Sequence, residues 1–290
     1  MIDAETKLYG IIGNPVHHSL SPAIHNGALR RLGCNAVYLA FEVKDLEDAL
    51  RGIRGLGVRG VSVTIPFKTE VVPLLDKVEG LAKKVGAVNT IVNQGGKLTG
   101  YNTDCDGALE ALGEKTSLRG KRIVLLGAGG AARAIGFGLK ERDCQLIVVN
   151  RSKKKGGGLS GELGCDYLSR STLVKMKTGE LEADVIINAT SLGMYPQDGE
   201  TPLPKKLLKE GMIVMDIVYQ PLRTKLLREA KQRGCVTVNG LEMLMRQAAA
   251  QFEIWTGRRL QITQIRKDLL RTLEGGPIVT RSAGLKKGKR

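Results

Sequence analysis

The four residues that directly follow a short apolar run could hold the phosphates of a dinucleotide. The run is Ile123 to Leu126, and Gly127-Ala128-Gly129-Gly130 follows it directly. A buried strand, a glycine turn and a helix form such a pyrophosphate site, because glycine lets the backbone approach the phosphates and the helix N-terminus faces the anion. Ala131 then opens a run of helix formers. The motif alone is weak, since an ordinary glycine-rich turn has the same composition.

The residues after the next predicted strand indicate which dinucleotide would bind. Gln145 to Val149 is mostly apolar and ends at Asn150-Arg151-Ser152. An NAD site usually carries an acidic residue about 20 residues past the glycines, where it binds the ribose 2′-hydroxyl. Arg151 stands there instead, and a guanidinium can hold a 2′-phosphate through a charge-assisted pair. The pattern favours NADP over NAD. The alternative is a solvated basic turn, which describes Lys153 to Lys155 better than it describes Arg151.

Further polar residues lie where predicted helices begin. Ser21 is predicted to cap a helix that starts at Pro22, so Ser19 and Ser21 could bind an anion at a helix N-terminus. Lys68 is predicted in the first turn of a helix after a strand that Pro66 closes, where the helix dipole disfavours a cation. Asp104 is predicted to cap the next domain's first helix. The alternatives are a cap alone for Ser21 and a surface ion pair for the two charged residues.

The predicted elements divide the chain into two α/β domains with a cleft between them. Strands and helices alternate over residues 7–92, which predicts a first domain separate from the dinucleotide fold. We expect a substrate domain at residues 1–104 plus 241–274 and a Rossmann-type, doubly wound NADP domain at 105–240. The glycines Gly156 to Gly158 predict a flexible connection. The tail, residues 275–290, is basic and is predicted to be disordered.

Composition limits the classes of function. The chain has 290 residues and 42% hydrophobic residues, which suits a globular protein of two domains. It contains no apolar run of membrane-spanning length and no signal-peptide pattern at its start. Five scattered cysteines without a Cys-x-x-Cys pair argue against a zinc site and fit a reducing cytoplasm. Of the net charge of +16, +5 lies in residues 275–290 and the rest is dispersed, so we expect neither nucleic acid nor membrane as a partner.

Several separate stretches, spread from residue 7 to about 273, resemble the shikimate dehydrogenase family. Any one of them is unspecific, whereas all of them in this order are highly specific. They are Gly13-Asn14-Pro15-Val16, Ser19-Leu20-Ser21-Pro22, His25-Asn26, Val63-Thr64-Ile65-Pro66-Phe67-Lys68, Gly86-Ala87-Val88-Asn89-Thr90, Gly100-Tyr101-Asn102-Thr103-Asp104, Gly127-Ala128-Gly129-Gly130, Asn150-Arg151-Ser152, Asn188-Ala189-Thr190-Ser191, Asp216-Ile217-Val218-Tyr219, and Gly240-Leu241-Glu242-Met243-Leu244 with Gln247.

The resemblance implies NADPH-dependent reduction of 3-dehydroshikimate to shikimate, a step toward the aromatic amino acids. By matching position, Lys68 and Asp104 resemble the family's catalytic pair, and Asn102 resembles a structural residue of the same motif. The implied substrate-binding residues are Ser19 and Ser21 for the carboxylate, with Tyr219 nearby, and Thr64, Asn89 and Gln247 for the hydroxyls. The implied cofactor-binding residues are Gly127, Ala128, Gly129, Gly130, Ala131, Asn150, Arg151, Ser152, Thr190 and Gly240.

Two rival functions stay open at this point. One is a quinate or mixed quinate/shikimate dehydrogenase of the same fold, and the other is an NADP-binding regulator without catalysis, against which Lys68 and Asp104 argue. We expect NADP(H) as cofactor, a small-molecule substrate, no metal, a cytoplasmic location, and a monomer or homodimer. Shikimate should be preferred over quinate. At position 62 this chain has serine where the family often has asparagine, and the shorter serine side chain reaches less far toward the substrate.

Overall fold

Short apolar runs and helix-forming segments alternate along the chain and build two six-stranded sheets in the computed structural model, which describes residues 2–274. The first sheet has the order β2-β1-β3-β5-β6-β4 and is mixed, because β5 runs antiparallel to both of its neighbours. Its strands are β1 (Lys7–Gly13), β2 (Ala36–Glu42), β3 (Gly60–Val63), β4 (Lys77–Val78), β5 (Thr90–Gln94) and β6 (Lys97–Tyr101).

The second sheet is parallel throughout and has the order β12-β11-β10-β7-β8-β9. Its strand order reverses between β7 and β10, which is where doubly wound folds bind ligands. The predicted α/β class with a Rossmann-type sheet is confirmed. The strands are β7 (Arg122–Leu126), β8 (Gln145–Asn150), β9 (Asp166–Ser169), β10 (Val185–Asn188), β11 (Ile213–Asp216) and β12 (Val236–Val238).

Helices pack beside both sheets and connect them. Helix α9 packs against α4 and against α1, while α4 also packs against α5, the helix that follows the glycine loop. The domain bounds expected from the sequence stay a prediction. The helices are α1 (Ser21–Arg31), α2 (Leu46–Gly55), α3 (Gly80–Val85), α4 (Asp104–Gly113), α5 (Gly130–Lys140), α6 (Lys153–Leu163), α7 (Arg170–Lys175), α8 (Lys225–Gln232), α9 (Gly240–Thr256) and α10 (Ile262–Glu274).

The apolar run before the glycine loop is buried on both faces of the parallel sheet. Ile123 and Leu125 pack in one core, whereas Val124 and Leu126 pack in another on the opposite face. Successive side chains of a strand point to opposite faces, so a strand covered by helices on both sides must be continuously apolar. This burial fixes the glycine loop at the carboxyl end of β7.

The helix predicted directly after Pro66 is wrong. The chain forms turns there, followed by a single 3₁₀ turn at Val72–Leu74. Pro73 lacks an N–H and disfavours helical geometry in the residue before it, so a helix cannot propagate through this segment. Lys68 therefore lies on a turn, and the argument from a helix dipole does not apply to it.

The flexible connection predicted at Gly156 to Gly158 is also wrong, since these glycines lie inside α6. The Ser152 hydroxyl accepts a hydrogen bond from Lys155 N at 3.3 Å and caps this helix. Gly156 packs so closely on β8 and β9 that an added Cβ would lie 2.5 Å from a ring carbon of Tyr167. Packing on the sheet thus outweighs the low helix propensity of glycine.

Two helices begin with a different residue at the N-cap from the one that the sequence predicts. Helix α1 begins at Ser21 itself, with Leu20 before it and no side-chain cap. Ser19 Oγ accepts a hydrogen bond from Ser21 N at 3.2 Å. The side chain of Ser19 therefore stabilises the turn that precedes α1. Asp104 is likewise the first residue of α4, so its carboxylate is available for contacts other than a cap.

Helix α3 was not predicted, and the predicted disorder of residues 275–290 lies outside the described residues.

Candidate active site

Lys68 and Asp104, the predicted catalytic pair, contact each other directly. The Lys68 ammonium donates a hydrogen bond to Asp104 Oδ2, and only 17% of the lysine side chain and 4% of the aspartate side chain are exposed. The Lys68 carbonyl accepts from Val88 N at 2.7 Å, which fixes the turn that carries it. Because both charges are largely withdrawn from water, their attraction is much stronger than that of a surface ion pair.

Asn89 fixes the position of Asp104. Its Nδ2 donates to Asp104 Oδ1 at 2.9 Å, and its Oδ1 accepts from Thr103 N at 2.9 Å and from Thr90 Oγ1 at 2.7 Å. Gln247 Oε1 lies 3.4 Å from the same Nδ2, so this predicted residue belongs to the same group. Sequence reasoning did not single out Thr90 or Thr103, although each is a direct neighbour of a residue that it did single out.

Asn102 makes two hydrogen bonds to the backbone around the catalytic pair. Its Nδ2 donates to Ala87 O at 2.9 Å, and its Oδ1 accepts from Asp104 N at 3.0 Å. The first contact ties the start of α4 to the segment before Asn89. The second fixes the backbone of Asp104. Asn102 is buried, and both of these bonds go to the backbone, so it helps to shape the site.

Ser19 lies between β1 and α1, Ser21 is the first residue of α1, and each serine interacts with a tyrosine. The Ser19 side chain lies close to Tyr219, whose pKa is raised by burial and partly lowered again by this neighbour. Ser21 is buried and interacts with Tyr38, whose pKa is raised because the phenol is fully removed from water. Tyr219 follows β11 of the other sheet, so the Ser19 contact joins the two halves of the molecule.

Thr64 lies directly after β3, four residues before Lys68. Its carbonyl accepts from Phe67 N at 3.0 Å, and its N–H donates to Ile12 O at 3.0 Å. Its methyl group packs at Gly13, where an added Cβ would lie 2.3 Å from it. The backbone of Thr64 thus shapes the turn that carries Lys68.

The glycine loop leaves room for a bound anion and lies against Lys68. Gly127 has φ +121°, and an added Cβ would lie 2.8 Å from Ala189 O, so only glycine fits. Gly129 precedes α5 without a side-chain cap, which leaves the first N–H groups of that helix for a ligand. An added Cβ at Gly130 would lie 3.1 Å from Lys68 Cβ. These residues fit a dinucleotide pyrophosphate, and Ala128 and Ala131 complete the loop.

Arg151 is exposed at the carboxyl end of β8, the strand next to the glycine loop. Gly127 N donates to Val149 O at 2.8 Å, which places the start of the loop beside Asn150-Arg151-Ser152. Asn150 is held by its own bonds, donating from Nδ2 to Ser152 O at 3.1 Å and accepting at its carbonyl from Tyr167 Oη at 3.2 Å. An exposed guanidinium on a fixed turn suits a 2′-phosphate better than a 2′-hydroxyl.

The remaining predicted cofactor residues follow the other parallel strands. Thr190, after β10, donates from Oγ1 to Asn188 Oδ1 at 2.7 Å. Asn188 in turn donates to the buried Asp216, whose pKa is raised to about 6 by burial, against the hydrogen bonds that it accepts. Gly240 begins α9, and an added Cβ would lie 2.4 Å from Ile217 O. The predicted cofactor residues therefore share one edge of the sheet.

Residues 2–274 contain neither a membrane-spanning helix nor a cluster of metal-ligating side chains. No helix in this range is long and apolar enough to cross a membrane. Nor does the range contain a group of three or more histidine, cysteine, aspartate or glutamate side chains arranged to hold a metal ion. Asp104 instead has Lys68 and Asn89 as its partners.

Three family models match separate parts of the chain. The shikimate dehydrogenase substrate binding domain matches residues 11–91, which include Ser19, Lys68 and Asn89. The shikimate / quinate 5-dehydrogenase model matches residues 108–217 and includes the glycine loop. The shikimate 5′-dehydrogenase C-terminal domain matches residues 240–270, which carry Gln247. The matches fall on both sheets and on α9.

Similar proteins extend over nearly the whole chain. The NADP⁺-dependent shikimate dehydrogenase of Thermococcus kodakarensis is 49% identical over 263 residues, covering 89% of this chain and 93% of its own length. A shikimate dehydrogenase crystallised with NADP⁺ has a TM-score of 0.87 and 41% identity, covering 94% of this chain and 97% of its own. The shikimate 5-dehydrogenase of Thermus thermophilus, in complex with NADP(H) and shikimate, has a TM-score of 0.82 and 36% identity, covering 92% and 99%. The chain described here therefore belongs to the shikimate dehydrogenase family.

Proposed function

We propose that this protein catalyses the reversible, NADPH-dependent reduction of 3-dehydroshikimate to shikimate, a step toward chorismate and the aromatic amino acids. One observation carries the proposal. Lys68, paired with the buried Asp104, lies against Gly130 of the glycine loop, with 3.1 Å between Lys68 Cβ and the position of an added Cβ at Gly130. A proton donor and a dinucleotide loop thus share one site, as the reduction of a ketone by a nicotinamide requires.

The chain's own residues supply the proton chemistry. Bound NADPH supplies the hydride that the ketone carbon accepts. The carbonyl oxygen then gains negative charge, and Lys68 Nζ donates a proton to it while its own charge stabilises the developing oxyanion. Asp104 keeps the ammonium in place and is itself held by Asn89. In the opposite direction Lys68 accepts the proton of the shikimate hydroxyl.

The substrate would be held from two sides. Ser19 and Ser21, beside the start of α1, suit a carboxylate because hydroxyl donors and a helix N-terminus meet there. Tyr219 contacts Ser19 from the other sheet and would close this end of the pocket. We assign the ring hydroxyls to Asn89, Gln247 and Thr64. The first two already belong to the hydrogen-bonded group around Asp104.

The NADP-binding residues would lie along one edge of the parallel sheet. Backbone groups from Gly127 to Ala131 would hold the pyrophosphate at the start of α5, and Arg151 would bind the 2′-phosphate, with Asn150 and Ser152 shaping its turn. Thr190 and Gly240 follow β10 and β12 and would line the nicotinamide end. Both residues lie beyond the carboxyl ends of these strands, where doubly wound folds bind ligands.

A second candidate function is oxidation of quinate as well as shikimate. The family model that matches residues 108–217 describes both shikimate and quinate dehydrogenases. A third, an NADP-binding regulator, conflicts with the intact Lys68–Asp104 pair. Mixing the protein with NADPH and 3-dehydroshikimate and following NADPH absorbance tests the reaction. We expect NADPH to be consumed until the reaction reaches equilibrium, with one shikimate formed for each NADPH oxidised. Tight NADPH binding without consumption would instead indicate a regulator.

A further inference from the structure

A buried glutamine on α9 makes three hydrogen bonds behind the proposed substrate pocket. Gln251 is only 1% exposed. Its Nε2 donates to Asn89 O and to Thr90 Oγ1, each at 3.0 Å, and its Oε1 accepts from Ser62 Oγ at 2.8 Å. Gln247, which we assign to the substrate, lies one helical turn earlier on α9. The two glutamines therefore contact Asn89 from the same helix, one at its side chain and one at its backbone.

Three successive hydrogen bonds, through Thr90 and Asn89, connect Gln251 to Asp104 of the catalytic pair. The Thr90 hydroxyl accepts from Gln251 and donates to Asn89 Oδ1 at 2.7 Å. This donor, together with Thr103 N, determines that the oxygen of the Asn89 amide faces them and that Nδ2 faces Asp104. An amide that rotated by half a turn would place an oxygen against a carboxylate oxygen and lose the bond. Gln251 thus stabilises the amide orientation that holds Asp104 beside Lys68.

Ser62 supports Gln251 and has no proton left for the substrate. Tyr38 Oη donates to Ser62 Oγ at 2.7 Å, and Ser62 Oγ donates to Gln251 Oε1 at 2.8 Å. A hydroxyl has one proton, so the serine's single donor is used within the protein. Ser62 also pairs directly opposite Thr90 across β3 and β5. The chain of bonds from Tyr38 to Asp104 is therefore continuous and buried.

We propose that Gln251 is a positioning residue for hydride transfer and that Ser62 is its hydrogen-bond donor rather than a substrate ligand. This inference rests on the proposed function. Gln251 acts through Thr90 and Asn89, so its loss should change the geometry of the ion pair without changing the cofactor site. A glutamine that only joins α9 to β5 would have no such effect on turnover.

The matched control is Trp255, four residues after Gln251 on α9. Its Nε1 donates to Ile91 O at 3.0 Å, so it also bonds the backbone of β5, one residue beyond Thr90. We expect Gln251→Ala to lower kcat about tenfold to a hundredfold, the size of effect that a small misplacement causes, with the Kd for NADPH unchanged. Trp255→Phe should lower the melting temperature and leave kcat near the native value. Native kcat in Gln251→Ala, or an equal loss in both variants, would overturn the proposal.

A second variant covers the case in which Gln251→Ala does not fold. Gln251→Glu keeps the size and the acceptor for Ser62, but an ionised carboxylate cannot donate to Thr90 or Asn89. Protonation would restore one donor, so the ratio of variant to native kcat should rise as pH falls. The titratable groups that face this position are His25 and Tyr38, and burial keeps both neutral in the native protein, lowering the pKa of His25 and raising that of Tyr38.

The native protein is the reference at every pH in this comparison. A ratio of kcat values that does not depend on pH would contradict the inference. Inactivity of the native protein would refute the proposed function itself. An active native protein with unaffected variants would refute this inference alone.

Discussion

A lysine that a buried aspartate holds in place can deliver a proton to one oxygen without first losing its orientation. Lys68 has this arrangement, because Asp104 is fixed by Asn89 on one side and by the backbone of α4 on the other. We expect Lys68→Ala to lower turnover by about 10² to 10⁴-fold, the usual contribution of a general acid. NADPH binding, measured by fluorescence titration, should stay near native.

The control for this substitution is Lys84→Ala. Lys84 forms an exposed ion pair with Glu141 at 3.1 Å and has no proposed role in the chemistry. Exposed pairs contribute little to stability, so both activity and folding should be unaffected in the control. Turnover of Lys68→Ala that matched the control would remove Lys68 from the mechanism.

The choice of cofactor depends on a different single residue. Arg151→Ala should weaken NADPH binding by about 1.5–3 kcal/mol, because a charge-assisted contact to the 2′-phosphate is lost, and should change NADH binding little. Calorimetric titration with both cofactors measures the difference. Lys154→Ala, in the same basic segment, is the control. Equal losses for NADPH and NADH would show that Arg151 does not bind the 2′-phosphate.

Sequence patterns drew attention to Lys68 and Asp104, and the family resemblance added Asn89, because these residues lie in compact motifs. The patterns did not predict Thr90 or Gln251, because the importance of these side chains arises where α9 packs on β5, and the bonded residues are 161 and 162 positions apart along the chain. A buried glutamine on an amphipathic helix looks like any polar helical residue until its partners are known. Only the three-dimensional contacts distinguish it.

At the scale of elements, α6 shows how tertiary contacts override local preference. Its glycines predict a loop, yet α6 extends over Lys153–Leu163. Gly156 lies against Tyr167 and Asn150, where an added Cβ would approach within 2.5 Å and 2.8 Å. Gly157 has nothing within 4 Å of such a Cβ. Packing therefore requires glycine at position 156, whereas a larger residue would fit at position 157.

This difference gives a paired prediction for urea unfolding. Gly156→Ala should lower the free energy of unfolding by about 1–3 kcal/mol, because the methyl group forces the helix off the sheet. Gly157→Ala should raise it by about 0.5–1 kcal/mol, because alanine favours the helix. A stabilised Gly156→Ala variant would mean that α6 does not pack this closely.

The strands and the helix after the glycine loop could be read from apolar runs and glycines, because burial on both faces requires continuous apolar strands. For the segment after Pro66, the predicted helix neglects Pro73, which is itself a sequence signal against a helix. The structure has turns there and one 3₁₀ turn. That local geometry brings the Lys68 carbonyl to Val88 N, a contact that a helix would not have made.

At the scale of the whole molecule, one histidine connects stability to pH. His25 is 1% exposed and stacks on Tyr38 with 4.4 Å between ring centroids. Among the described residues, neither ring nitrogen has a well-formed hydrogen bond, although the nearby Gln251 slightly favours the protonated form. Burial outweighs this and lowers the pKa of His25 to about 3. At any pH between this value and the ordinary pKa of histidine, the His25 imidazole is therefore protonated in the unfolded chain and neutral in the folded chain.

Stability should consequently fall as pH falls below the ordinary pKa of histidine. Between that pKa and a pH of about 5, His25 alone should lower the free energy of unfolding by about 2 kcal/mol. His25→Phe should reduce this slope in urea unfolding measured at several pH values, whereas His17→Phe, at an exposed position, should retain it. An unchanged slope in His25→Phe would contradict the buried, neutral state of the imidazole.

A panel of kcat/KM values for shikimate and quinate, each with NADP⁺ and NAD⁺, tests the central claim most directly. Quinate carries an extra hydroxyl on the carbon that bears the carboxylate, where Ser19 and Ser21 would leave it without a partner. Burying that hydroxyl costs about 1–3 kcal/mol, or roughly tenfold to a hundredfold in specificity. We therefore predict that shikimate with NADP⁺ gives the highest kcat/KM of the four pairs. This value should exceed that for quinate with NADP⁺ by at least about tenfold. Equal values for quinate and shikimate, or activity with neither, would contradict the account.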